Sequence, residues 1–325
     1  MNNASGLSYT KKFFDPPRQY RPKKGNAVES GDQRQSVYVY TDEIILAVNV
    51  ALATGRPLLV RGVSGSGKSS LAANAADWLG WRYYEKVITS RTQASDLLCE
   101  IDWLRRLHDA QSHHFSNDYT PYIVPGVLWW AFDRDSAQIR GRKTEGMEPL
   151  KDPCTVVGDP PRAVVLLDEI DKADPDVPNS LLEPLGSLQF QVHETGVCVS
   201  TKGETAPLVV ITTNEERELP KAFLRRCVEL KLQLPDHPRL IEIAQAHFPE
   251  MDSDTIKQVV RALFETEQEA EANDDISPNN DISPAELLDM IRAYRELEVK
   301  LETPAWDALV GITVWKHGRT KDQSS

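Results

Sequence analysis

Apolar residues fall into two kinds of run along this chain. Between residues 42 and 54, Ile44, Ile45, Ala47, Val48, Val50, Ala51 and Leu52 recur at helical spacing behind Asp42 and Glu43, and Thr54-Gly55 supplies the stop. Three later runs, Leu58 to Val60, Ala163 to Leu167 and Leu208 to Thr212, are continuously apolar and end on polar residues. That is the pattern of parallel strands covered on both faces. A helix is predicted over Lys68 to Leu79, directly after the first strand, and helical patterns fill the gaps between the others. Strands alternating with helices imply right-handed crossovers and a parallel sheet, with chemistry at the carboxyl ends of the strands.

After Pro235 only helical patterns remain: Arg239 to His247, Ser253 to Glu267, Pro284 to Val299 and Ala305 to Trp315. The acidic stretch from Glu265 to Asp281 holds Asp275-Ile276-Ser277-Pro278, repeated as Asp281-Ile282-Ser283-Pro284, and only the second copy opens a helix, with Ser283 as cap. The expected layout is a basic, disordered tail over 1–36, an α/β domain over 37–235, a small all-helical lid over 236–318 and a tail over 319–325. The fold class is therefore α/β, with a parallel central sheet and a small all-helical appendage.

Gly62, Val63, Ser64, Gly65, Ser66, Gly67, Lys68 and Ser69 match G-x-x-x-x-G-K-[ST] in full. The segment leaves an apolar strand and opens a helix, the context this motif requires. Its glycines allow turns that aim N–H groups at phosphate oxygens, and the helix N-terminus adds its dipole. Lys68 reaches the β and γ phosphates in such a site, Ser69 binds Mg²⁺ through its hydroxyl, and Ser70 belongs to the same first helical turn. ATP and Mg²⁺ are the implied cofactors.

Asp168 and Glu169 end the second strand, so Asp168 can hold Mg²⁺ through water and Glu169 can activate the attacking water. Without the P-loop, the same pair reads as a helix cap or a surface pair. Asn214 ends the third strand, as a water-positioning amide or as a simple turn residue. Arg225 and Arg226 follow Phe223 and Leu224 on a short helical pattern, and two adjacent buried charges would both need partners. One should project outward, either into a surface salt bridge or toward the nucleotide of a neighbouring subunit.

These residues resemble the AAA+ superfamily and, within it, the MoxR-like group. The likeness runs from about Val37 to Trp315 and is most distinctive at Ala47 to Leu59, Ser90 to Leu98, Tyr122 to Phe132 and Val209 to Cys227. It implies Walker A roles for Lys68 and Ser69, Walker B roles for Asp168 and Glu169, sensor 1 at Asn214 and an arginine finger at Arg226, with Arg225 as the alternative. It also implies two inserted hairpins, expected at Asp118 to Val127 and Gln189 to Ser200. Trp129 and Trp130, just after the first, are expected to include at least one core residue. The family's sensor 2 arginine has no counterpart in Pro284-Ala285-Glu286, and Arg292 lies about 10 Å further along the helix axis.

The resemblance implies ATP hydrolysis in a homo-hexameric ring that remodels a protein partner, von Willebrand factor A domain proteins being common partners in that group. An ATP-controlled switch or scaffold with slow hydrolysis is the second reading, kept open by the missing arginine. A DNA translocase or a GTPase is the third. The net charge of −12 opposes DNA binding, and no Asn-Lys-x-Asp segment reads guanine. The charge is uneven, because seven basic residues against three acidic ones give residues 1–35 a net +4 and leave −16 on the remainder.

No stretch reaches the roughly 18 apolar residues that would cross a membrane, and no signal-peptide order is present, so the expected location is the cytoplasm. Cys99, Cys154, Cys198 and Cys227 lie far apart and read as buried reduced thiols, and the adjacent His113 and His114 read as loop, so no transition metal is expected.

Overall fold

The computed structural model describes residues 9–22, 37–112, 117–144, 146–154, 160–202, 205–272 and 282–314. His113 and His114, the first copy of the acidic repeat and the tail over 319–325 lie outside them. The described residues form two compact units, one drawn from 1–35, 40–61 and 69–231, the other from 36–39, 62–68 and 232–325.

The first unit is built on a five-stranded sheet of β1 (Leu58–Arg61), β2 (Arg82–Val87), β3 (Ala163–Asp168), β4 (Leu208–Thr213) and β5 (Val228–Lys231). Their order is β5-β1-β4-β3-β2, and each pairing is parallel. The three strands expected from continuous apolar runs are the central ones. β3 and β4 are buried along their whole lengths, and Leu58, Leu59 and Val60 of β1 are fully buried. The two edge strands carry no such signal, because charged residues interrupt them: Glu85 and Lys86 beside a buried, hydrogen-bonded Arg82 in one, Glu229 and Lys231 in the other.

In this unit the helix Asp42–Thr54 is capped by Thr41, whose hydroxyl accepts the Ile44 N–H, and it ends at left-handed Gly55. Trp129 and Trp130 both lie in the core. The Gln189 to Ser200 hairpin forms, with Gln189–Gln191 antiparallel to Cys198–Ser200. The other expected hairpin is different. Ile123–Pro125 pairs antiparallel with Cys99–Ile101, and the helix Trp103–Gln111 lies between the two strands. The segment 118–127 cannot supply both strands, since a 3₁₀ turn over Thr120–Tyr122 takes up its first half and Pro125 has no N–H to donate.

Two further expectations are corrected. Of the four thiols only Cys227 is buried, where the apolar surroundings push its pKa up to about 12, while Cys198 is exposed and the other two are partly covered. Residues 9–22 are not a solvated tail. Phe14 is fully buried with its ring edge-on to Tyr40, and Tyr20 donates to Asp77 at 2.6 Å. The anchor is Asn49 on the helix Asp42–Thr54. Its Oδ1 accepts the N–H groups of Phe13 (2.6 Å) and Phe14 (3.0 Å), and its Nδ2 donates to the carbonyl of Phe14 (2.6 Å). The basic composition hid two aromatic anchors.

The second unit contains the helices His237–His247, Ser253–Ala272, Pro284–Glu296 and Pro304–Thr313 around Leu240, Ile256, Val260, Leu287, Ile291 and Trp306. Ser283 and Glu286 form a reciprocal capping box at the start of Pro284–Glu296. No helix among the described residues is long and apolar enough to cross a membrane.

Asn49→Ala leaves the backbone groups of Phe13 and Phe14 without their partner. It is expected to lower unfolding free energy by about 2 kcal/mol in denaturant titration and to speed proteolysis within residues 9–22.

Candidate functional site

Parallel strands deliver their carboxyl ends to one edge, and the register decides which side chains meet there. Ile211 of β4 lies beside Leu167 of β3, so the next residues, Thr212 and Asp168, become neighbours. Asp168 is 6% exposed, and its Oδ1 accepts the hydroxyls of Ser69 (2.7 Å) and Thr212 (2.6 Å). A buried carboxylate requires such donors. The arrangement gathers one carboxylate and two hydroxyls, a hard-oxygen donor set of the kind that Mg²⁺ accepts.

Glu169 has φ of 62°, a left-handed value uncommon for a side chain of this type. Its N–H donates to Thr212 Oγ1 at 2.8 Å, which holds that turn in place. The carboxylate receives Asn214 Nδ2 at 3.1 Å and Lys172 Nζ at 2.8 Å. The bond to Glu169 raises the Lys172 pKa, with smaller contributions from Glu216 and Asp171. Asn214 therefore stands beside Glu169, as a shared sheet edge requires. Thr212 and Lys172 were not assigned roles from sequence, although hydroxyls ending an apolar strand are a usable signal.

The glycine-rich segment is described within the second unit. Lys68 is 6% exposed, and its Nζ donates to the carbonyls of Gly62 (2.9 Å) and Val63 (2.6 Å). Gly65 has φ of 77°, and a Cβ there would come within 2.6 Å of Ser283 Oγ. Its carbonyl accepts the Ala285 N–H at 3.3 Å, so the first turn of Pro284–Glu296 sits directly on the loop. Ser66 Oγ is buried with no hydrogen-bond partner among the described residues, a polar atom that a phosphate oxygen would satisfy. With the ammonium of Lys68 and the start of the helix Lys68–Leu79, the loop fits a polyphosphate. Val63 and Ser64 are exposed, Gly67 is partly exposed, and Ser70 lies in the first helical turn.

Arg225 and Arg226 are both exposed, so neither is the buried member of the pair. Their backbone is held by Arg56, whose guanidinium donates to the carbonyls of Arg225 (2.7 Å), Arg226 (3.1 Å) and Cys227 (2.6 Å). Arg56 was likewise missed, because its partners lie about 170 residues away in sequence. In the second unit, Arg292 is exposed and paired with Asp289 at 3.2 Å.

A family model described as AAA domain (dynein-related subfamily) matches residues 57–227. No curated protein matches the chain. Among solved structures, a point mutant of RuvB from Thermotoga maritima aligns at 13% identity with a TM-score of 0.46, covering 84% of this chain and 67% of that one. The Thermotoga maritima RuvB Holliday junction branch migration motor aligns at 14% identity with a TM-score of 0.44, covering 83% and 66%.

Lys68→Ala is expected to weaken binding of a fluorescent ATP analogue at least about 30-fold, the worth of a lost charge-assisted contact. Ser66→Ala, which removes the orphaned hydroxyl, is expected to weaken it by about threefold to tenfold in the same titration.

Proposed function

The chain belongs to the AAA domain family, in its dynein-related subfamily, and on that premise we propose that it is a MoxR-like ATPase whose hydrolysis in a ring remodels a protein partner. ATP binding and hydrolysis are general properties of the AAA+ class, which the glycine-rich loop and the parallel sheet support. The MoxR-like grouping rests on the sequence stretches named above.

The observation that carries the hydrolytic reading is the pairing of Glu169 with Asn214 beside the Asp168 and Ser69 oxygens. In this reading Lys68 and the loop N–H groups bind the phosphates, and Ser69 and Asp168 hold Mg²⁺. The metal, when bound, offsets charge developing on the phosphoryl oxygens. Glu169 then accepts the proton of the attacking water, and Asn214 orients that water. Arg226, or failing it Arg225, extends to the nucleotide of the next subunit in a homo-hexamer. The exposed position of both arginines supports this, as does the Arg56 clamp on the backbone that bears them.

A protein partner is supported by the inserted helix Trp103–Gln111, which buries none of its residues and leaves Leu104 79% exposed beside exposed Trp103 and Leu107. Exposed apolar groupings of this kind mark contact surfaces. A von Willebrand factor A domain protein is the partner class that the MoxR-like reading suggests. Nucleic acid is opposed by the net charge of −12, and the proposed location is the cytoplasm.

One observation favours a second reading, an ATP-controlled switch with slow turnover. The lid helix meets the glycine-rich loop through Ala285, and the nearest arginine, Arg292, is engaged by Asp289. Phosphate release measured against protein concentration separates the two. The ring reading predicts specific activity that rises steeply with concentration and falls about 10³-fold in Arg226→Ala. A rate near background that Arg226→Ala does not change, despite tight ATP binding, leaves only the switch.

A further inference from the structure

Glu169 and Asn214 sit on separate turns, one after β3 and one after β4, and a single buried side chain spans the two. Asp171 lies on the 3₁₀ turn Ile170–Lys172 and is 2% exposed. Its Oδ2 accepts the N–H of Asn214 at 3.2 Å and the N–H of Glu216 at 3.0 Å. Its Oδ1 is buried with no hydrogen-bond partner among the described residues.

A carboxylate held out of water with one oxygen unpartnered opposes folding, and an apolar side chain would fill the same space at less cost. The compensation is the pair of charge-assisted bonds to the turn 214–216. That turn needs a restraint, since Glu215 has φ of 62°, a left-handed value that a residue bearing a side chain holds only when its surroundings enforce it. Arg61 grips the Glu215 carboxylate from β1, with Nε and Nη2 at 3.0 and 2.6 Å. Glu229 and Glu215 together raise the Arg61 pKa, Glu229 first. Asp171 therefore grips the backbone of the turn, and Arg61 grips its central side chain.

We propose that Asp171 is a positioning residue for hydrolysis: by holding the Asn214 N–H it sets the Asn214 amide 3.1 Å from the Glu169 carboxylate, so that the two turns move as one. Asp171 touches no reacting group, and its effect passes through Asn214. The proposal rests on the assignment of Glu169 and Asn214 to hydrolysis.

The test is steady-state ATP hydrolysis by the full chain, with nucleotide affinity measured separately. Asp171→Ala is expected to lower kcat on the order of 10- to 100-fold, the cost of a misplacement of about 1 Å. KM and nucleotide Kd should stay within about twofold, because the phosphate-binding loop is untouched. Asp171→Asn keeps a carbonyl oxygen for the two N–H groups and should recover kcat to within about fivefold of wild type. In an Asn214→Ala background, Asp171→Ala should cost less than about twofold more, since the two act as a unit. Should Asp171→Ala not fold, Asp171→Ser, too short to reach either N–H, carries the same expectation.

Wild-type kcat in the folded Ala or Ser variant overturns the proposal. So does an equal fold-loss in the wild-type and Asn214→Ala backgrounds. Glu169→Gln assayed alongside separates this failure from failure of the hydrolytic assignment, which alone would leave that variant as active as wild type.

Discussion

A buried negative charge at the end of a central strand governs the arrangement of this site. Asp168 can be 6% exposed only because two hydroxyls, from Ser69 and Thr212, donate to the same oxygen. Those hydroxyls come from different elements. Thr212 requires β4 beside β3 in the observed register, and Ser69 requires the helix after the glycine-rich loop to begin at that edge. Neighbouring turns inherit their geometry from this point. Glu169 enters a left-handed conformation one residue later with its N–H on Thr212, and Asn214 follows two residues after Thr212 on the turn that leaves the adjacent strand.

The sheet edge holds a carboxylate and an amide together, Glu169 and Asn214, without long flexible side chains. Two hydrogen bonds hold the Glu169 carboxylate, from Asn214 and Lys172, and the buried carboxylate of Asp171 fastens the turn that carries the Asn214 amide. Around the glycine-rich loop the constraint is steric. The close approach of Ser283 and Ala285 to Gly65 sets the first turn of Pro284–Glu296 directly against the loop. The contact runs through small side chains, so packing joins this helix to the loop.

Much of this was legible in the sequence, for stated physical reasons. The central strands announce themselves because burial on both faces demands continuous apolar residues, and the helix from Asp42 to Thr54 carries its cap, periodicity and stop. The positions of Ser69, Asp168, Glu169 and Asn214 at one sheet edge were legible because motif and strand ends coincide. The edge strands Arg82–Val87 and Val228–Lys231 were not, since charged residues interrupt their apolar pattern, Arg82 buried on carbonyl acceptors and Glu229 and Lys231 at the other edge. The segment Asp118 to Val127 was taken for a hairpin because Pro121 and Pro125 disguise a single strand whose partner lies more than twenty residues earlier. Thr212, Arg56 and Asp171 escaped because their partners are set by tertiary register, which no local spacing encodes.

The most direct test of the account is the identity of the nucleotide recovered from the protein after a single turnover with radiolabelled ATP and Mg²⁺. Wild type should return ADP and Glu169→Gln should return intact ATP bound with wild-type affinity, as expected if Glu169 accepts the proton of the attacking water at a site whose phosphate grip is separate. Recovery of ADP from both proteins, or of unchanged ATP from both, would contradict it.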